Sequence, residues 1–429
     1  MYKSILTLTI VIAATALNSN AAPLQTELAD LVANHPLIQS NRFKLQSAEQ
    51  DVRTALSEFL PNLNLSANAG QERVSTEVLR LNKTGPLENG AENLRLSLTQ
   101  NIYDGGLRFS GRMSAKLERE IADITLISVR QTIMFEGIAV YIDVLRQSQL
   151  LELSEQNETN IRRQLNLEEE RIRRGSGIAV DVLQAKSRLQ IARERKVFVA
   201  GALRDANSRY LQVFNRAPHP LDMNIPQQPN GLIPKTLEDA ISIALIENPA
   251  VKSSQKLIEV ADQNLEGISS EYHPTIDLVL QGNYEDDFNG IPGIRRDYSA
   301  KLQANWNLFN GLSTKSRTKG AAYKYQARQS DYLQTRRKIE EQTRLAWQAL
   351  LTARERVKLL NNAVNIANEV LNSRERLRES GRETALNVLD AENEVFNAQI
   401  NYTSAIFLSK VSTYQLLLAM GRLDQILES

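Results

Sequence analysis

The sequence predicts a mainly α-helical chain with a membrane-spanning β part, built from a unit of long helices and paired strands that occurs twice. Three observations carry that fold class. The stretches RIRRGSGIAVDVLQAKSRL (171–189) and RLRESGRETALNVLDAENE (376–394) share an Arg-rich run, a glycine and a Val-Leu-[Gln/Asp]-Ala ending, with Gly175 and Gly381 206 positions apart. Four other stretches alternate apolar and polar residues with a strict period of two, the pattern of strands with one apolar face. Residues 107–174 and 312–380 contain no proline, so each reads as one helix of roughly 100 Å at 1.5 Å per residue.

Element by element, the chain opens on MYKSILTLTIVIAATALNSNA. Lys3, a 13-residue apolar core at 5–17, and the small Ser19 and Ala21 have the layout of a cleaved secretory signal over 1–21. Thirteen residues are too few for a helical span, which needs about 20. No long uncharged apolar run follows, so any membrane crossing must be made by strands rather than helices.

The first unit, 22–216, reads as a helix over 26–58, two strands, the long helix, a glycine turn and a shorter helix over 178–215. In the strand after Pro61, Leu63, Leu65, Ala67 and Ala69 alternate with Asn62, Asn64, Ser66 and Asn68; Leu94, Leu96 and Leu98 oppose Arg95, Ser97 and Thr99. The Pro- and Asn-rich segment 217–235 is a linker. The second unit, 236–429, opens on Thr236 and Asp239, placed as a capping box for a helix over 237–270. Its strands set Ile276, Leu278, Leu280 and Tyr284 against Asp277, Gln281, Asn283 and Glu285, then carry the same alternation over 298–308. The helices 312–380 and 385–421 complete it. Pro36 aligns with Pro249 and Pro61 with Pro274, each 213 apart, so the two units follow one plan in one order.

Strands of about 10 residues suffice to cross the ~25 Å apolar band of an outer membrane, but a closed barrel takes at least about eight of them. Four per chain therefore imply that several chains share one barrel; the count alone leaves a dimer open. Past each glycine turn, Val182, Ala185, Leu189 and Ala192, and likewise Val388, Ala391, Val395 and Ala398, follow coiled-coil spacing, with small residues that let helices approach. On this geometry the two echoing stretches are hairpin turns at the same end of the molecule.

The composition narrows the function classes. With 51 basic and 50 acidic residues there is no general attraction to nucleic acid. The absence of cysteine excludes disulfides, thiolate metal sites and a lipid-modified N-terminal cysteine. His35, His219 and His273 sit beside prolines without metal-ligand spacing. There is no nucleophile elbow, phosphate loop or catalytic pair, so no enzyme, metal or cofactor is implied. Two classes remain: a transport channel, and a non-conducting periplasmic coiled-coil adaptor or scaffold, which would not need the four patterned strands.

With these pieces assembled, the sequence resembles the TolC family of outer-membrane channel-tunnels over nearly the whole mature chain. The carrying motifs are the duplicated Asn-Pro helix openings and the strand exits Ile-Tyr-Asp-Gly-Gly (Asp104, Gly105, Gly106) and Leu-Phe-Asn-Gly (Asn310, Gly311). The turn motifs G-x5-D-V-L-Q-A and G-x5-N-V-L-D-A complete the set. The resemblance implies a homotrimer in a Gram-negative outer membrane, four strands per chain in a 12-stranded barrel continued by a periplasmic helical barrel. It also implies a passive exit duct for type I secretion or drug efflux, working with a periplasmic adaptor and an inner-membrane ABC or proton-driven pump. The missing lipid anchor inclines the reading toward secretion.

By the same resemblance, the turns at Gly175, Gly177 and Gly381 dock the adaptor, and Asp181, Asn387 and Asp390 lie at the pore constriction. One of the family's usual acid pair is the neutral Asn387, so Asp390 is expected to carry a weakened acidic ring. Glu383 stands where relatives often have a gate-locking Arg, and Arg382 beside it is expected to take over the pairing with Asp181. Arg171, Arg173, Arg174, Arg374, Arg376 and Arg378 crowd near the turns, as solvated helix ends or as a surface for an acidic adaptor tip. Tyr284, Tyr298 and Trp306 fall in the lipid-side register as interface anchors.

Overall fold

The structure is a computed structural model that describes residues 24–82, 86–175, 177–219 and 223–427. The expected signal segment 1–21, Ser176 in the first turn and three residues of the linker lie outside the described residues. In chain order the elements are α1 (Leu24–Asn34), α2 (Pro36–Ser57), β1 (Asn62–Val74), the short α3 (Glu77–Leu81), β2 (Leu87–Tyr103), α4 (Leu107–Arg173) and α5 (Ala179–Phe214). The second half supplies α6 (Leu237–Glu247), α7 (Pro249–Ser269), β3 (Thr275–Asp286), β4 (Ile294–Asn305), α8 (Ser313–Glu379) and α9 (Ala385–Met420). The repeat is visible in the lengths: α4 and α8 have 67 residues each, α5 and α9 have 36 each.

The helices expected over 26–58 and 237–270 each break once. Pro249 has no N–H to give and disfavours helical torsions in the residue before it. Asn248 accordingly adopts φ −61°, ψ 126° and caps α7, its Oδ1 accepting from the Ala250 N–H at 2.9 Å. Pro36 is likewise the first residue of α2, one residue after α1 ends at Asn34. The capping box at α6 is half formed: Thr236 Oγ1 accepts from the Asp239 N–H at 3.1 Å, while the Asp239 carboxylate meets the Thr236 hydroxyl, not its backbone.

The chain forms two compact units, each drawing on both halves of the sequence. One comprises residues 36–130 and 241–343 and holds the sheet, an antiparallel meander of order β1-β2-β3-β4. Register sets Leu65, Leu96, Gly282 and Tyr298 in one row and Leu63, Leu98, Leu280 and Ala300 in the next. Their face stands open: Leu63 is 65% exposed, Leu65 63%, Leu302 71% and Tyr298 84%, so it is not the inner face of a sandwich. The opposite face is a polar lattice. Arg95 donates to Asn283 at 3.1 Å, Asn283 to Asp297 at 3.0 Å, and Asn101 to Asp277 at 2.7 Å. The strands run to 12–17 residues, longer than the ten read from the pattern, except that β4 stops at Asn305 and leaves Trp306 just beyond it. Trp306 Nε1 donates to the Tyr272 carbonyl at 3.1 Å.

Both strand exits turn sharply into a long helix. Asp104 accepts from the N–H groups of Gly106 and Arg108 at 3.0 Å each and from Arg108 Nε at 2.7 Å, satisfying donors that open α4. Gly105, at φ +70°, is required by space as well, because a Cβ there would lie 2.7 Å from the Ser270 carbonyl oxygen. At the other exit Asn310 accepts from the Thr314 N–H at 3.4 Å, and Gly311 makes the positive-φ turn.

The other compact unit comprises residues up to 35, 131–240 and 344–429. Its core sets Leu28 and Leu31 of α1 against α4 at Gly137, where a Cβ would come within 2.6 Å of Leu31 Cδ2. Glu27 accepts from the Tyr210 hydroxyl at 2.9 Å and pairs with Arg216, so its buried charge is compensated. The linker is strapped down by three side chains acting on its carbonyls. Tyr141 donates to Asn224 at 3.0 Å, Lys410 to Pro226 at 2.8 Å and Tyr414 to Gln227 at 3.2 Å.

Candidate functional site

Both glycine turns lie within this second unit. At each, the chain leaves a 67-residue helix through a left-handed residue, Gly175 at φ +78° and Gly381 at φ +73°. After α8 the Gly381 N–H reaches the Arg378 carbonyl at 3.0 Å and the Arg382 N–H reaches Leu377 at 2.9 Å, the paired bonds of a Schellman termination. The first turn repeats the inner bond, Gly175 N–H to Ile172 at 2.9 Å. Gly177 lies so close to the end of α4 that a Cβ would sit 2.7 Å from the Ile172 nitrogen.

Beyond the turns, the expected heptad positions pack. Val182, Ala185, Leu189 and Ala192 are buried with Ile161, Leu165 and Leu389, while Val388, Ala391 and Val395 are buried on α9; Ala398 is half-buried. Polar groups frame this seam. Glu158 on α4 takes Arg162 from its own helix and Arg193 and Lys196 from α5. Its partial desolvation favours the neutral acid, but Lys196 and the two guanidinium groups overcome that and hold its carboxyl below the ordinary range.

The sequence-predicted residues divide. Asp181 sits in the first turn of α5, where a carboxylate complements the helix dipole. Arg382 is exposed, and among the described residues no ion pair joins it to Asp181, so the expected substitution for the family's lock does not form within the chain. Glu383 is held instead by its own turn: it accepts from the Asn387 amide and from the Thr384 N–H at 2.9 Å, and faces Arg374 at 3.6 Å. These donors, the Asn387 amide foremost, keep its carboxyl below the usual carboxylate range. Asn387 is thus committed to Glu383. Asp390 is half exposed and pairs with Arg188 of α5.

Three further residues were not singled out from sequence. Glu168, 3% exposed, pairs with Arg378 of α8 and lies 3.4 Å from Arg171. Glu392, 7% exposed, accepts from Gln164 Nε2 at 3.1 Å through Oε1, while Oε2 is buried without a partner. Burial raises its carboxyl above the ordinary range, and the nearby Glu375 adds to this. With Arg188, these residues tie α4 to α8, α4 to α9 and α5 to α9. Spacing could have found Glu392, which falls four residues after Val388 and three before Val395, a seam position occupied by an acid.

Comparison with known proteins agrees with this architecture. The family model described as "Outer membrane efflux protein" matches residues 28–213 and 240–422. The outer membrane efflux protein BepC of Brucella suis biovar 1 (strain 1330) is 23% identical over 427 residues, covering 98% of this chain and 91% of that protein. The outer membrane protein TolC of Vibrio cholerae is 22% identical, covering 91% and 89%. Among solved structures, VceC of Vibrio cholerae superposes with a TM-score of 0.79 at 17% identity, covering 93% of this chain and 96% of that one. A membrane protein from Pseudomonas aeruginosa gives 0.80 at 17%, covering 92% and 90%. With two matched segments that together span most of its length and fall on its two repeats, the chain belongs to the outer membrane efflux protein family.

Proposed function

We propose that the protein is a passive exit duct in which three chains close one barrel and export cargo delivered by an inner-membrane pump through a periplasmic adaptor. The carrying observation is the sheet: four strands with an exposed apolar face, a hydrogen-bonded polar face and two unpaired edges, β1 and β4. Lipid fits the first face and a water-filled lumen the second. A coiled-coil scaffold has no use for such a sheet. The family description favours efflux, and the absence of cysteine fits an unlipidated duct.

In this reading the units 22–216 and 236–429, joined by 217–235, are copies of one ancestral hairpin, which the two matched segments support. Gly175, Gly177 and Gly381 shape the turns that meet the adaptor. Asp181 and Asp390 are the acids of the constriction, and Arg188 restrains Asp390 in the closed state. The test is planar-bilayer conductance of the purified mature assembly beside Asp390→Ala. Discrete channels whose cation preference falls in the variant support the whole reading. Channels indifferent to the variant would keep the duct and remove Asp390 from its constriction; folded assembly without channels, even after the turn ties are cut, would leave the scaffold.

A further inference from the structure

Beside the strand exits, α4, α7 and α8 enclose a groove of about 750 Å³ that the duct function leaves unused. Its polarity is graded along its length. Leu107 and Ile268 line the end next to the sheet beside the mutually neutralised Arg317 and Glu271, Leu257, Val260 and Ala321 continue the floor, and Lys324, Arg328 and Asp331 lie toward the far end. Gln263 presents an Oε1 that is buried and unpartnered.

The groove is lined by three cations, Arg317, Lys324 and Arg328, and two carboxylates, Glu271 and Asp331, which leaves one positive charge in excess. From Ser313 to Ser330, α8 carries Lys315, Arg317, Lys319, Lys324 and Arg328 and no acid, and Asp331 follows directly. Arg317 is engaged by Glu271 and Arg328 by Asp331 at 3.3 Å, while Lys324 is exposed and has no ion pair or hydrogen bond among the described residues. Just above, Leu308, Phe309 and Leu312 are 78%, 77% and 58% exposed, an apolar collar where the strands end.

An inner-leaflet phospholipid has the same polarity, tails toward the strands and phosphate toward the periplasm. We propose that this groove binds an anionic phospholipid of the periplasmic leaflet, with an acyl chain along Leu107, Ile268 and Val260 and the headgroup phosphate on Lys324 and Arg328. Basic clusters beside a membrane attract anionic headgroups in this manner. The inference rests on the outer-membrane placement given above.

The test is native mass spectrometry of the delipidated assembly exposed to mixed micelles of phosphatidylglycerol and phosphatidylethanolamine. Phosphatidylglycerol should be retained several-fold more, and Lys324→Gln with Arg328→Gln should reduce it to the phosphatidylethanolamine level without changing the assembly mass. Ala327→Trp, which fills the groove from its exposed rim, should displace both lipids. Equal retention of the two lipids, or retention unmoved by these variants, would overturn the proposal. Displacement by glycerol 3-phosphate alone would also overturn it, assigning the site to a soluble anion. Conductance recorded on the same preparation separates the two readings, since a conducting assembly without lipid preference removes only this one.

Discussion

Arg378, near the end of α8, places its guanidinium against the carboxylate of Glu168 on α4, and the two side chains are only 11% and 4% exposed. Ion pairs this well sealed lose more when one partner is removed than they contribute as a pair, and Glu168 would keep only Arg171, at 3.4 Å, as its counter-charge. Arg378→Ala should therefore cost about 3 kcal/mol, the order seen for broken buried pairs. Arg378→Met with Glu168→Gln should recover most of it. Urea unfolding of the detergent-solubilised protein measures both; equal losses in the single and double variants would show that the pair is not the cause.

The same tie restrains the turns. If the closed state depends on it, Arg378→Ala should also raise single-channel conductance, as should Arg188→Ala at the neighbouring pair with Asp390. Unchanged conductance in both would place the closing contacts between chains.

Glu392 gives a pH signature whose sign is fixed. Burial raises its carboxyl above the ordinary value of 4.5, so the neutral acid is the form the folded chain prefers. Its contribution to stability is full below that ordinary value and is lost as pH rises through the raised one. Glu392→Gln keeps the acceptor for Gln164 and removes the charge, so it should raise Tm at neutral pH and have little effect near pH 4. Thermal melts of both proteins across that range decide the matter.

Gly381→Ala should destabilise by about 1–2 kcal/mol, the cost of placing a Cβ at a left-handed position. No atom lies within 4 Å of the new methyl, so the penalty would be backbone strain alone. Gly177→Ala should cost more through contact with Ile172. Paired melts that reversed this order would contradict the turn geometry.

Lys410 and Tyr414 hold the linker by its carbonyls, so Lys410→Met and Tyr414→Phe should each speed limited proteolysis near Gln227. Each bond is worth about 1 kcal/mol, roughly a fivefold change in opening.

The sequence was most legible where a regular period met a strong local rule. The alternation of β1 through β4, the uninterrupted runs of α4 and α8, and both glycine turns follow from pleat, proline absence and positive φ. It was less legible where geometry is three-dimensional. Pro36 and Pro249 were visible as markers of the repeat, yet the cap that Asn248 forms at the second break is set by local torsions that the repeat pattern does not display. Glu168 carries no mark in the sequence that sets it apart from its neighbours Glu169 and Glu170, because only the approach of α8 brings Arg378 to it. Arg382 and Asp181 illustrate the converse: motif position suggested an ion pair that is absent among the described residues.

The sheet order also has a consequence for heredity. With β1 and β4 at its margins, the proposed shared barrel would close by pairing the β1 edge of each chain with the β4 edge of a neighbour. A ring so built has no spare member: backbone groups left unmatched at a single joint would face hydrocarbon, which does not solvate them. A mutant lacking β4 but keeping β1 should therefore enter rings with normal chains and spoil them. Expressed beside the intact gene, such an allele should be dominant, whereas complete loss of the protein should be recessive.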